Sequence, residues 1–190
     1  MKKLLSVFLA AALVLLCAVC AAAETKTGLG IVTFIGASQP VGEIDGEKTN
    51  GRAQVDSTIC AVTLDENGTI VAISFDVAQT RVAFTPEGAL AADLSAPALT
   101  KREKGFDYNM KAVSAAGGTN NGEGFELFEQ LDNLEAYCIG KTVEEVLATP
   151  VYQRDENHPA APDAEDLKAS VTITIGELLE ALKKAAENAK

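Results

Sequence analysis

The stretch AQVDSTICAVTLDENGTIVAISFDV, residues 53–77, constrains the fold of this chain more than any other. In its first half Val55, Ser57, Ile59, Ala61 and Thr63 alternate with Asp56, Thr58, Cys60, Val62 and Leu64. In its second half Ile70, Ala72 and Ser74 alternate with Val71, Ile73 and Phe75. A period of two belongs to a strand, whose successive side chains point to opposite faces. Between the halves stands DENG, where Gly68 can take the positive φ of a bulged hairpin turn. The spacing predicts a β-hairpin over 53–64 and 69–77.

The flanking segments extend this into a domain. GLGIVTFIGA (28–37) is β-branched and bounded by glycines, so it reads as a strand, while QPVGEIDGEKTNG (39–51) reads as a loop. TRVAFTPEG (80–88) reads as a further strand leading into a turn, and residues 89–122 as loops with one short strand or helical turn. Helical spacing begins later. Phe125, Phe128, Leu131, Leu134 and Cys138 recur at steps of three and four, and Gly140 ends the run. Thr142 and Glu145 form a capping box ahead of a second helix closed by Pro150. QRDENHPAAPDAED (153–166) is a polar connection. A tail helix is predicted from about 174 to 188, with Leu178, Leu179, Leu182 and Ala186 on one face. The fold class that follows is α+β: a single domain with an antiparallel, hairpin-based sheet packed with C-terminal helices.

The first residues stand apart. Lys2 and Lys3 precede the apolar run LLSVFLAAALVLLCAVC, and Ala21-Ala22-Ala23 precedes Glu24. A charged start, a short apolar run and an A-x-A site are the pattern of a secretory signal peptide. The run is short for a membrane span and has no basic flank beyond it. The expectation is a signal peptide over 1–23 and a domain over 24–190, secreted or at the cell envelope, with no stable membrane span after cleavage. The alternative is an uncleaved N-terminal anchor. The contexts of Cys17 and Cys20 fit a lipobox poorly.

Cleavage would take Lys2 and Lys3 from the 16 basic residues, leaving 14 against 27 acidic ones, a net charge of −13. So acidic a chain argues against nucleic acid and anionic membrane surfaces as partners, and solubility outside the cell is reason enough for the charge. Two cysteines remain, Cys60 and Cys138, in the apolar contexts TICAV and AYCIG. An exported protein can pair them, and a buried free thiol is equally at home there. With His158 they are too few for a usual zinc site. His158 sits in the polar loop ENHPA, which reads as solvent-facing and offers no second group to orient a general base, so a hydrolase is not expected and no catalytic residue is assigned. DENG lacks the ligand spacing of a calcium loop.

Two stretches carry ligand chemistry. In GFDYNMKAVSAAGG, Tyr108 can stack on a planar ligand and Lys111 can meet a phosphate or ring oxygen, although a loop that packs its aromatic on the core is the commoner use of such a stretch. In DLKASVTITIGELLEALKKA, Ser170, Thr172 and Thr174 crowd the start of the tail helix. A helix N-terminus offers unpaired N–H groups and partial positive charge, which suit a phosphate. The same residues also serve as ordinary caps and strand formers.

Taken together, GLGIVT, AQVDSTICAVTLDENGTIVAISFDVAQT, DYNMKAVS, FEQLDNLEAYCIGKTVEEV and SVTITIGELLEALKKA resemble the FMN-binding-domain family, in its small exported form from Gram-positive anaerobes. The resemblance runs over most of 27–188 and includes a hairpin of the form V-x-x-D-x-x-G-x-I, here Val62 to Ile70. In flavinylated members a D-x-x-S-G-A-T sequence precedes a helix and its threonine is esterified to FMN. Asp166 falls on that aspartate, Ala169, Ser170 and Val171 on S-G-A, and Thr172 on the acceptor. The resemblance implies FMN as cofactor, held at its phosphate by Ser170, Thr172 and Thr174 with Asp166 orienting. It also implies an electron-carrying flavoprotein with an envelope redox partner. The alternative is a non-redox interaction or ligand-binding module of the envelope that has lost the flavin site. Oligomeric state is left open.

Overall fold

The computed structural model describes residues 24–156 and 158–190. The expected signal peptide, 1–23, lies outside the described residues. The predicted hairpin is the centre of the molecule: β4 (Gly51–Leu64) pairs antiparallel with β5 (Ile70–Phe84). Asp65 shapes the turn, its Oδ1 accepting the N–H groups of Asn67 and Thr69 at 2.9 and 2.8 Å. Gly68 takes φ of 79°. The strand expected at 80–88 is not separate. β5 runs unbroken through it, because Thr80, Arg81 and Val82 continue the pairing opposite Val55, Gln54 and Ala53. The third strand is β1 (Lys26–Phe34), giving the order β1-β4-β5. The loop expected over 39–51 contains a small hairpin, β2 (Gly42–Ile44) and β3 (Glu47–Thr49), turned at Asp45 and Gly46.

One face of this sheet carries the core. Cys60, Val62 and Phe75 on the strands meet α2 (Leu127–Cys138) and α4 (Gly176–Glu187), which bury Leu131, Leu134, Leu178 and Leu182. Short α1 (Lys111–Ala116) precedes α2, and α3 (Val143–Leu147) follows it with the expected Thr142–Glu145 capping box. β6 (Val151–Tyr152) and β7 (Ala161–Pro162) close the connection to α4. The antiparallel sheet packed against C-terminal α4 is the α+β architecture expected from the sequence. No helix among the described residues is long and apolar enough to cross a membrane.

The glycines of GLG decide how α4 docks. Gly28 and Gly30 face the helix so closely that a Cβ on either would fall within about 2 Å of the Ala185 or Ala181 carbonyl oxygen. The C-terminal end of α4 also covers the edge of β1. Asn188 Nδ2 donates to Leu29 O at 3.0 Å, and Thr27 and Lys190 exchange backbone hydrogen bonds of 3.2 and 3.3 Å. An edge strand closed in this way is poorly available for pairing with other chains. On the opposite face Leu29 and Ile31 remain 53% and 48% exposed.

Candidate functional site

A cavity of about 640 Å³ opens where the sheet, the start of α4 and two loops meet. Its floor is apolar, formed by Leu127 and Leu131 of α2 with Leu178 of α4 and Val77 of β5. Phe34, at the end of β1, and Tyr108, in a 3₁₀ turn at Gly105–Tyr108, supply aromatic walls. Asp56 and Thr58 enter from β4, Thr174 from the approach to α4 and Glu177 from its first turn, and Glu156 and His158 from the loop before β7.

Specific bonds hold these walls. Lys101 N donates to Val77 O at 2.8 Å, tying the loop after β5 back to the sheet. The next residue acts as a clamp. Arg102 Nε donates to Phe75 O at 3.0 Å, and its guanidinium forms ion pairs with Asp132 and Glu135 of α2. Glu135 also accepts the Phe75 N–H at 2.7 Å, but burial outweighs both partners and raises its pKa above the usual carboxylate range. Met110 is held by its N–H, which donates to Glu126 Oε2 at 2.7 Å. The Lys101 ammonium stands 5.8 Å over the Tyr108 ring, a cation–π distance.

The polar groups are arranged with equal definition. Arg81 Nε donates to Gln54 Oε1 at 3.0 Å, and Gln54 Nε2 donates to Asp56 Oδ2 at 2.7 Å. This chain orients Asp56 and leaves its Oδ1 buried with no hydrogen-bond partner among the described residues. Thr174 Oγ1 is in the same condition. Such atoms are uncommon in folded proteins, because an unpaired buried polar group costs about 1–3 kcal/mol. Thr58 Oγ1 donates to Glu177 Oε2 at 3.0 Å, joining strand to helix beside the cavity. His158 Nδ1 lies 2.7 and 2.8 Å from the Asp155 carboxylate oxygens. His158 therefore borders the cavity and is half-buried, where its polar loop had suggested a solvent-facing side chain.

The residues singled out in the sequence divide into two groups. Tyr108 and Thr174 line the cavity. Asp166, Ser170, Thr172 and Lys111 are not among its lining residues. Asp166 and Lys111 are exposed, and Ser170 Oγ donates to Leu167 O at 3.0 Å. Thr172 is 7% exposed. Its N–H donates to Gln130 Oε1 at 2.9 Å, its hydroxyl faces the same oxygen at 3.4 Å, and its carbonyl accepts from Arg154 Nη1 at 2.8 Å. The segment after α1 packs over it: a Cβ on Gly117 would stand 3.4 Å from Thr172 Oγ1, and Asn120 N donates to Ala169 O at 2.9 Å. Thr174, expected at the helix start, precedes it by two residues. Ile175 is the N-cap, and its N–H is spent on Ala160 O at 2.9 Å. Glu177 supplies negative charge to the first turn.

Sequence reasoning missed Asp56, Glu177, Lys101 and Gln130. Asp56 did leave a signal, since it shares strand parity with Thr58, Cys60 and Val62 and so is a carboxylate on the core-facing row. Among the described residues no group of three or more His, Cys, Asp or Glu is placed to hold a metal ion. No family model, curated protein or solved structure matches this chain.

Proposed function

We propose that this protein is a small-ligand-binding domain that acts outside the cytoplasm, secreted or at the cell envelope, and that its ligand occupies the cavity before α4. One observation carries the reading. Two buried side-chain oxygens, Asp56 Oδ1 and Thr174 Oγ1, have no hydrogen-bond partner among the described residues, at a cavity whose remaining walls are mostly apolar and aromatic. A few convergent polar groups in an apolar hollow of several hundred Å³ are the usual make-up of a small-molecule site. The export expectation rests on the sequence of residues 1–23.

A second reading makes FMN that ligand and the protein an electron carrier with an envelope redox partner. Its support is that Tyr108 and Thr174, both within stretches that resemble the FMN-binding-domain family, line the same cavity. The burial of Thr172 beside Gln130 favours a non-covalent flavin over an ester at that residue. A bound flavin would supply the redox chemistry, and the chain would supply the aromatic wall and a hydrogen bond from Thr174.

The test has two parts. The protein is produced with a flavin transferase and examined by visible absorbance and intact mass, then titrated with FMN. A yellow protein that loses its colour on denaturation without a mass change supports the second reading. A colourless protein that takes up no FMN removes it. For the first reading, amide shifts in NMR spectra are followed as small aromatic compounds (tyramine, 4-ethylphenol, 4-hydroxyphenylacetate) and FMN are added at millimolar concentration. Shifts centred on Asp56, Thr58, Thr174 and Glu177, weakened in Phe34→Ala, support a ligand site. Absence of any shift there with all four compounds overturns it.

A further inference from the structure

We infer that the cavity before α4 selects a small organic cation, an ammonium carried on an aromatic or aliphatic body, over neutral or anionic ligands. This rests on the reading of the cavity as a ligand site and adds the chemical class of the ligand.

The first argument is charge. Three carboxylates line the cavity, Asp56, Glu156 and Glu177, against one ammonium, Lys101, whose charge is directed over the Tyr108 ring. The imidazole of His158 faces the Asp155 carboxylate. The whole chain is also acidic, with a formal charge of −11. A low-dielectric hollow walled by one sign of charge concentrates ligands of the opposite sign.

The second argument is hydrogen bonding. Ionised carboxylates only accept, so the unpartnered Asp56 Oδ1 calls for a donor. Thr174 Oγ1 can accept as well as donate, and Glu177 has one oxygen beyond the one that Thr58 engages. An ammonium brings three donors and no acceptor, which matches this set. A phosphate or carboxylate brings acceptors and would face Asp56 and Glu177 with like charge. At the start of α4, Glu177 places a carboxylate in the first turn, which opposes the usual attraction of a helix N-terminus for an anion.

The third argument is the walls. Phe34 lines the cavity, and an aromatic ring attracts cations. The apolar floor takes the body of the ligand.

The experiment uses tyramine, its neutral analogue 4-ethylphenol and the acid 4-hydroxyphenylacetate as probes, with FMN as a fourth. Amide shifts at Asp56, Thr58, Thr174 and Glu177 are followed in the wild type, Asp56→Asn and Glu177→Gln. Glu177 is exposed, so its variant keeps the test sound if Asp56→Asn disturbs the strand. Tyramine is expected to bind more tightly than both analogues, with affinity about tenfold lower in Asp56→Asn, as loss of a charge-assisted hydrogen bond requires. Its affinity is also expected to fall in Glu177→Gln and as salt is added. If 4-hydroxyphenylacetate or FMN shifts these amides and tyramine does not, the cation inference is overturned while the ligand site stands. Tyramine binding equally well in both variants overturns it too. If none of the four compounds shifts them, both readings fall.

Discussion

Adding one methyl group at Gly30 tests the docking on which this fold depends. The Cβ of Gly30→Ala would stand 2.0 Å from the Ala181 carbonyl oxygen and 2.5 Å from the Ala185 amide nitrogen. Ordinary contact begins at 3.4 Å, so α4 must move away by about 1.4 Å. No side-chain rotation can relieve this, because both opposing atoms are helix main chain. Gly30 does not have a positive φ, so alanine brings no backbone strain and lowers the entropy of the unfolded chain, a gain of about 0.4–1 kcal/mol. Overpacking of this kind costs about 1–3 kcal/mol, and here the upper end applies. The net loss is about 2 kcal/mol, or roughly 4–8 °C in Tm for a domain of this size. Urea unfolding followed by circular dichroism, with a thermal melt alongside, measures it. Leu29→Ser, one residue away on the exposed face, is the control and should stay within about 0.5 kcal/mol of the parent. A Gly30→Ala protein as stable as the parent, or a control just as damaged, would refute the reasoning.

Other outcomes follow from the same structure. Gln130→Leu leaves the buried Thr172 N–H without its acceptor and should cost about 2 kcal/mol in urea, whereas Thr172→Val, which gives up only a 3.4 Å contact, should cost less than about 1 kcal/mol. Burial pushes the Cys60 and Cys138 thiols up to about 12 from 9.0, so both should resist a thiol reagent at pH 8 until the protein is unfolded; rapid labelling of the native protein would contradict this. The sign for stability follows from the raised values. The thiols contribute nothing unfavourable below pH 9, and stability falls as pH rises from 9 toward 12, because the unfolded chain releases protons that the folded one retains. A Cys60→Ala, Cys138→Ala variant should lose less stability between pH 8 and 10 than the parent does. At the hairpin turn, the Thr69 N–H lowers the Asp65 pKa below 3.8, so its contribution is present above 3.8 and lost as pH falls through the lower folded value. Asp65→Ala should be less stable than the parent at neutral pH, and the two should converge in acid.

The fold was more legible than the site. Strong alternation across 53–77, the turn at Gly68 and the Thr142–Glu145 box are local signals, and each marks its element within a few residues. The division at 78–80 was misread because a strand of 15 residues exceeds the usual length, and pairing to β4, itself 14 residues long, carries it through. The hairpin at 42–49 was hidden by its brevity and by turn residues that equally describe a loop. At the site, Tyr108 and Thr174 were found by residue type, while Lys111 was named where Lys101 reaches the cavity. The loop carrying Lys101 is placed by Arg102 gripping α2 some 30 residues later, a contact with no local trace.

The sequence by itself determined the strand parity, the hairpin turn, the Thr142–Glu145 capping box and the acidic charge, because these depend on neighbours a few positions apart. Tertiary structure alone decided which hydroxyls find a partner. Thr172 and Thr174 are two residues apart and chemically identical, yet Gln130 and the segment after α1 cover the first, while the second borders the cavity that Asp56 also lines. That difference comes from packing between elements 40 or more residues apart in the chain, and no spacing rule along a single segment encodes it.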